Sequence, residues 1–150
     1  MGHTYSNLTC HIVFSTKHRR ADLTLDILPR LIEYAGGIIR NRDGKLLAIN
    51  GASDHMHILV ILAPKHAISD QVRDIKAGMS KWIHDNIASL RTFAWQEGYA
   101  IFSVSKSVMQ TVIDYISSQT EHHHKMTFEE ELVALLQKHG IDYDPRYVFD

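Results

Sequence analysis

At 150 residues, 45% hydrophobic and 22% charged, the chain is sized for one globular domain, with no room for a second. A chain this long buries roughly two-thirds of its unfolded surface, so no metal is needed to hold its core; the lone Cys10 excludes an internal disulfide or a cysteine-built zinc site and suits a reducing, cytoplasmic setting. No apolar run nears the roughly 18 residues that span a bilayer, and the polar first residues carry no signal-peptide core, so membrane and secreted roles are not expected. The formal net charge of -1 conceals an asymmetry: thirteen basic against nine acidic side chains in residues 1–106, three against eight afterwards.

The first element is a strand over residues 8–16, with Leu8, Cys10, Ile12 and Phe14 on one face and Thr9, His11, Val13 and Ser15 on the other. After a basic loop, Lys17-His18-Arg19-Arg20, Leu28, Leu31, Ile32, Ala35, Ile38 and Ile39 fall at helical spacing within residues 24–42, ended by Asn41-Arg42-Asp43-Gly44. Residues 45–50 and 55–62 form a hairpin around Gly51-Ala52-Ser53-Asp54, stopped by Pro64. A long amphipathic helix over 67–90, with Ser69 as N-cap, turns Ile68, Val72, Ile75, Met79, Trp82 and Ile83 inward and Arg73, Lys76 and Lys81 outward. A fourth strand over 99–105 precedes helices over 108–122 and 127–139, the second ended by Gly140. The order strand, helix, strand, strand, helix, strand is the split βαβ, ferredoxin-like and RRM-like arrangement of the α+β class, an antiparallel sheet with helices on one face and the other face left open for a site or a partner.

Eleven histidines are a heavy load for this length, and His55-Met56-His57 opens the third strand. Alternation puts both imidazoles on one face, close enough for one cation, while Met56, Ile58 and Val60 fill the core. On the helix from residue 108, Tyr115 and Gln119 lie one turn apart, and Val112 and Ile116 form a separate packing stripe. Taken singly, an HxH tripeptide fits a pair of half-exposed strand histidines, and a lone tyrosine fits an amphipathic core.

The order and spacing of several segments go further. His11-Ile12-Val13-Phe14-Ser15-Thr16-Lys17, Asp54-His55-Met56-His57-Ile58-Leu59, Trp95-Gln96-Glu97-Gly98-Tyr99 leading to Phe102-Ser103-Val104-Ser105, Tyr115-Ile116-Ser117-Ser118-Gln119, Glu121-His122-His123, and the tail with Phe128-Glu129-Glu130-Glu131 and Gly140-Ile141 span nearly the whole chain. With Met56 as the bulky residue of an HUH motif, the sequence resembles the single-tyrosine HUH transposases of small bacterial insertion sequences, including the REP-associated tyrosine transposases. The resemblance implies one HUH endonuclease domain over residues 1–150. It implies a divalent metal, Mg2+ or Mn2+, on His55, His57 and Gln119, and Tyr115 as the nucleophile toward a phosphodiester of single-stranded DNA with hairpins. Attack yields a 5'-phosphotyrosine and a free 3'-OH whose return rejoins strands without nucleotide hydrolysis. It also implies a homodimer, with the tyrosine helix acting in its own subunit or in its partner's. Two imidazoles and an amide suit softer ions than Mg2+, so Mn2+ is expected to serve at least as well.

Lys17, Arg19 and Arg20, and the outward Arg73, Lys76 and Lys81, are the candidates for DNA phosphate contact. His11, on the polar face of the first strand, is read equally as support for the histidine pair or as having no role there; Asp54 is placed for shaping the preceding turn, and Trp82 and Trp95 for the core. Glu121 is a minor candidate ligand, and His122, His123 and His124, consecutive on a helix, cannot all face one ion. Three other functions compete: a domesticated transposase acting on chromosomal repeat hairpins, a noncatalytic hairpin-binding module, and a zinc hydrolase, ranked last for want of acidic ligands.

Overall fold

The computed structural model describes residues 2–119 and 126–149. Its elements follow the expected order: β1 (Thr9–Ser15), α1 (Leu28–Asn41), β2 (Lys45–Gly51), β3 (His55–Ile61), α2 (Ile68–Asn86), β4 (Ala100–Ser103), α3 (Met109–Ser117) and α4 (Phe128–Lys138). The four strands form one sheet in the order β2-β3-β1-β4, with every neighbouring pair antiparallel. That is the α+β, ferredoxin-like topology expected from the sequence.

Several boundaries move for local reasons. Pro29 stands in the first turn of α1, which begins at Leu28 after turns over residues 24–27; a proline ring lacks the N–H that a helix interior needs but is at home at its start. Ala67, not Ser69, is the N-cap of α2, which ends at Asn86 before a 3-10 turn, Ala88–Leu90. α4 starts as its residues dictate: the Thr127 hydroxyl accepts from the Glu130 N–H while the Glu130 carboxylate accepts from the Thr127 N–H, a reciprocal cap. α3 stops at Ser117, so Gln119 lies just past its end rather than one turn along it.

The larger correction concerns the sheet's second face. Every residue of β1 is buried, because both faces are covered. On one, Cys10, Ile12, Phe14, Met56, Ile58 and Val60 meet α1 and α2 in the main core with Leu31, Ile39, Val72, Ile75, Met79 and Ile83, each large side chain contributing roughly 1.5–3 kcal/mol by leaving water. On the other, expected to stay open, α3 and α4 fold back over the sheet. Leu59, Val104 and Ile116 pack under α3, and Val13 and Phe102 pack under Phe128, Leu132 and Leu136 of α4. The histidine side of the sheet lies between these two small cores. No helix among the described residues is long and apolar enough to cross a membrane.

Candidate metal centre

The centre is built from the strand period upward. In the β1–β3 register Val13 lies opposite His57 and Ser15 opposite His55, so the two imidazoles share a face with His11, which lies opposite Leu59. The tight turn before them depends on Gly51, where a Cβ would sit 2.4 Å from the His55 carbonyl oxygen and 2.8 Å from Met56 Sδ. His55 and His57 are 1% and 0% exposed.

Both Nε2 atoms aim at a group the sequence reading did not select. Glu131 of α4 places Oε1 2.9 Å from His57 Nε2 and 3.3 Å from His55 Nε2. Its other oxygen, Oε2, accepts from the Tyr115 hydroxyl, and from Gln119 Nε2 at 3.2 Å. The Gln119 carbonyl oxygen is 3.2 Å from His55 Nε2. The four selected residues, His55, His57, Tyr115 and Gln119, therefore come together, with Glu131 at their centre. Candidate ligand atoms of His55, His57 and Glu131 lie within 4.8 Å of one another, all three residues buried.

Behind the ligand atoms, each imidazole has a partner for its second nitrogen. His55 Nδ1 donates to Asp54 Oδ1 at 2.7 Å, and His57 Nδ1 shares a 2.8 Å hydrogen bond with His11 Nε2. Asp54 thus does more than shape a turn. The electrostatics follow from burial and these bonds. Burial alone lowers the His55 pKa, but the hydrogen bonds and charges of Asp54 and Glu131 outweigh it and hold the ring up at about 9. Burial raises the Glu131 carboxyl, yet hydrogen bonds from His55 and His57 and the His57 charge carry it well below the usual carboxylate range. Burial, then the Glu131 hydrogen bond and charge, push the Tyr115 phenol above its ordinary value. Burial and the neighbouring His57 charge hold His11 down at about 3, so it stays neutral.

Two imidazoles and a carboxylate are a donor set that suits a divalent cation, and the fit alters two expectations. Glu131 adds a hard, charged oxygen, which improves the match to Mg2+ over the all-neutral set. It also removes the objection that a zinc site would lack an acidic ligand, since two histidines and a glutamate are a zinc set; the tyrosine hydroxyl on the same carboxylate is what sets this centre apart. Glu121, His122, His123 and His124 lie outside the described residues.

The basic candidates separate. Lys17, Arg19 and Arg20 leave the end of β1 beside the histidine turn, where Thr16 N–H donates to the Asp54 carbonyl. Arg19 is already engaged: Nε lies 2.5 Å from Glu129 of α4, and Nη1 donates to the Phe149 carbonyl at 2.8 Å. Arg20 is exposed and 3.9 Å from Asp22. Arg73, Lys76 and Lys81 stand on α2, across the sheet from the histidines. Arg73 pairs with Asp70 and Asp74, and Lys81 with Asp85. Lys76 does not point outward: it lies over the Phe14 ring and donates to the carbonyls of Gln96, Glu97 and Gly98, and burial lowers its pKa to about 8. Trp95 is in the core as expected, while Trp82 is half-buried at its margin under Arg30.

Comparison with known proteins supplies the class to which this fold and centre belong, the transposases. Residues 4–119 match the family model described as "Transposase IS200 like", and the chain belongs to that family. It is 28% identical over 134 residues to the transposase for insertion sequence element IS200 of Salmonella typhimurium, covering 81% of this chain and 82% of that protein. With the ISDra2 transposase TnpA of Deinococcus radiodurans it shares 24% identity over 123 residues, 79% of this chain and 87% of the relative. Among solved structures, a Deinococcus radiodurans R1 chain described as a transposase superposes with a TM-score of 0.65 at 23% identity, covering 79% of this chain and 96% of that one. A REP-associated tyrosine transposase bound to a REP hairpin gives 0.60 at 19% identity, covering 82% and 73%.

Proposed function

We propose that this chain is a metal-dependent DNA strand transferase that cuts and rejoins single-stranded DNA at hairpin-marked ends through a phosphotyrosine on Tyr115. The observation that carries the reading is the convergence of the Tyr115 hydroxyl and two imidazole Nε2 atoms on one buried carboxylate. His55, His57 and Glu131, with Gln119 beside them, would hold Mg2+ or Mn2+, which when bound supplies positive charge to a nonbridging phosphate oxygen. Tyr115 is the nucleophile. Its O–H donates to Glu131 Oε2, which relays the proton to solvent as the phenolate oxygen bonds to phosphorus; the P–O3' bond breaks and the released 3'-oxygen takes a proton from water.

Both imidazoles are closed off from solvent, so a phosphodiester reaches them when the side chains of Tyr115, Gln119 and Glu131 that converge there give way. Lys17 and Arg20 stand nearest the histidine turn and are the favoured backbone contacts, with Arg19 joining once its bonds to Glu129 and Phe149 open; Arg73, Lys76 and Lys81 serve at most a distant stretch of DNA. Action as a homodimer in the cytoplasm belongs to this reading. One variant of it directs the same chemistry at chromosomal repeat hairpins; a structural neighbour of this fold is bound to a REP hairpin.

The test is incubation of wild type and Tyr115→Phe with labelled single-stranded DNA from the gene's flanks, with Mn2+, Mg2+ or EDTA, on denaturing gels. A metal-dependent protein–DNA adduct, lost in Tyr115→Phe while hairpin binding persists, supports strand transfer. Hairpin binding without adduct in the presence of metal supports a noncatalytic module instead.

A further inference from the structure

The two histidines of the centre are not held alike. His55 has a carboxylate behind it, an acceptor only, whereas His57 has another imidazole, His11 from the adjacent strand. We propose that His11 is the positioning residue for His57, fixing both the plane of its ring and the nitrogen that carries its proton when a divalent ion is bound. The inference rests on the metal-site reading above and deepens it.

The argument begins with strand geometry. His11 and His57 are diagonal neighbours on one face, and their rings lie with centroids 5.0 Å apart and planes inclined by 30°. Within that stack the His11 Nε2 to His57 Nδ1 distance is 2.8 Å. An imidazole that gives its Nε2 lone pair to a metal must keep its proton on Nδ1, and a partner that accepts that proton fixes the ring's tautomer and direction. A neutral imidazole has one accepting nitrogen, and Nε2 of His11 is in the position to provide it.

His11 itself is locked. It is 3% exposed, with Phe102 and Tyr115 rings at 6.0 and 6.3 Å. The ring is thus packed in place, and its hydrogen bond aims His57 Nε2 at Glu131 Oε1. Asp54 does the corresponding work for His55 from the preceding residue, so the two ligands are braced from different elements, one from a turn and one from β1.

The test measures metal binding on the full chain without DNA. Mn2+ affinity, read from the electron paramagnetic resonance signal of free Mn2+, is compared for wild type, His57→Ala, His11→Phe and His11→Gln, with circular dichroism as the check on folding. His11→Phe keeps a flat ring in the stack and removes the acceptor; it is expected to weaken Mn2+ binding about 10- to 100-fold, the cost usual for losing such a partner. His11→Gln restores a carbonyl acceptor and is expected to recover most of the loss. In wild type loaded with Mg2+, 15N shifts are expected to show His57 protonated at Nδ1, a readout that stands even if the phenylalanine variant does not fold. A folded His11→Phe with wild-type Mn2+ affinity, or His57 protonated at Nε2 in the loaded chain, overturns the role given to His11. A wild-type chain whose Mn2+ binding is indifferent to His57→Ala overturns the metal-site reading itself.

Discussion

Replacing Glu131 by glutamine is the sharpest perturbation of the centre, because it keeps the shape and removes the charge on which four donors converge. His57, His55, Gln119 and Tyr115 all direct hydrogen bonds or charge at its two oxygens. Hydrogen bonds to a buried charged group contribute roughly 1.5–3 kcal/mol each, and breaking a buried ion pair costs roughly 3–5 kcal/mol. Glutamine retains one accepting oxygen and the imidazoles can shed their protons, so a net loss of about 2–4 kcal/mol is expected, or about 5–15 °C in Tm for a chain of this size.

The pH dependence carries a sign that can be checked. His55 is held at about 9 against an ordinary 6.5, so its contribution is complete below pH 6.5 and disappears as pH rises through 9. The Glu131 carboxyl lies below its ordinary 4.5, so its contribution is present above that value and is lost on acidification. The stability gap between wild type and Glu131→Gln should be widest near pH 6 and narrow toward both pH 9 and strong acid. Thermal melts in EDTA at several pH values measure it. A variant as stable as wild type at pH 6, or a gap that does not change with pH, refutes the electrostatic account of the centre.

Gly51→Ala drives a Cβ into the His55 carbonyl and Met56 Sδ, and should destabilise the chain by about 1–3 kcal/mol while weakening Mn2+ binding, as melts and metal titration will show. Met79→Ala, in the core on the other sheet face and fully buried, should cost about 2–5 kcal/mol in urea unfolding yet leave Mn2+ affinity within about threefold of wild type. Arg19→Ala removes the bonds to Glu129 and the Phe149 carbonyl; limited proteolysis should then cut the last residues faster, with Tm lowered by only a few degrees because the ion pair is partly exposed.

Strand periodicity carried most of what could be read in advance. Cys10, Ile12 and Phe14 alternate with His11, Val13 and Ser15, and His55 with Met56, so sheet order and the shared face of the histidines were legible. Helix ends were less so: Pro29 and the early stop at Ser117 act through backbone geometry that apolar spacing does not register. The role of Glu131 was hidden for a different reason. It sits in a run of three glutamates, two of which remain outside the site, and it meets Tyr115 only because α4 folds back over the sheet. One signal was available: Glu131 lies on the same helix stripe as Phe128, Leu132 and Leu136, and a carboxylate on a buried stripe calls for a partner. The covered second face was missed with it, since nothing local tells a helix which side of a sheet to choose.

The complete burial of β1 has a consequence for how such a centre tolerates change. A slip of one residue against β3 would carry the His11 imidazole into the dry core beside Met79 and bring Ile12 against His57, a loss on both faces at once. The alignment of the histidine rings is thus enforced by the sorting of apolar and polar side chains onto opposite faces of one fully buried strand. Insertions or deletions within β1 should accordingly abolish folding before they retune chemistry, leaving helices and loops as the places where this scaffold can vary the DNA it handles.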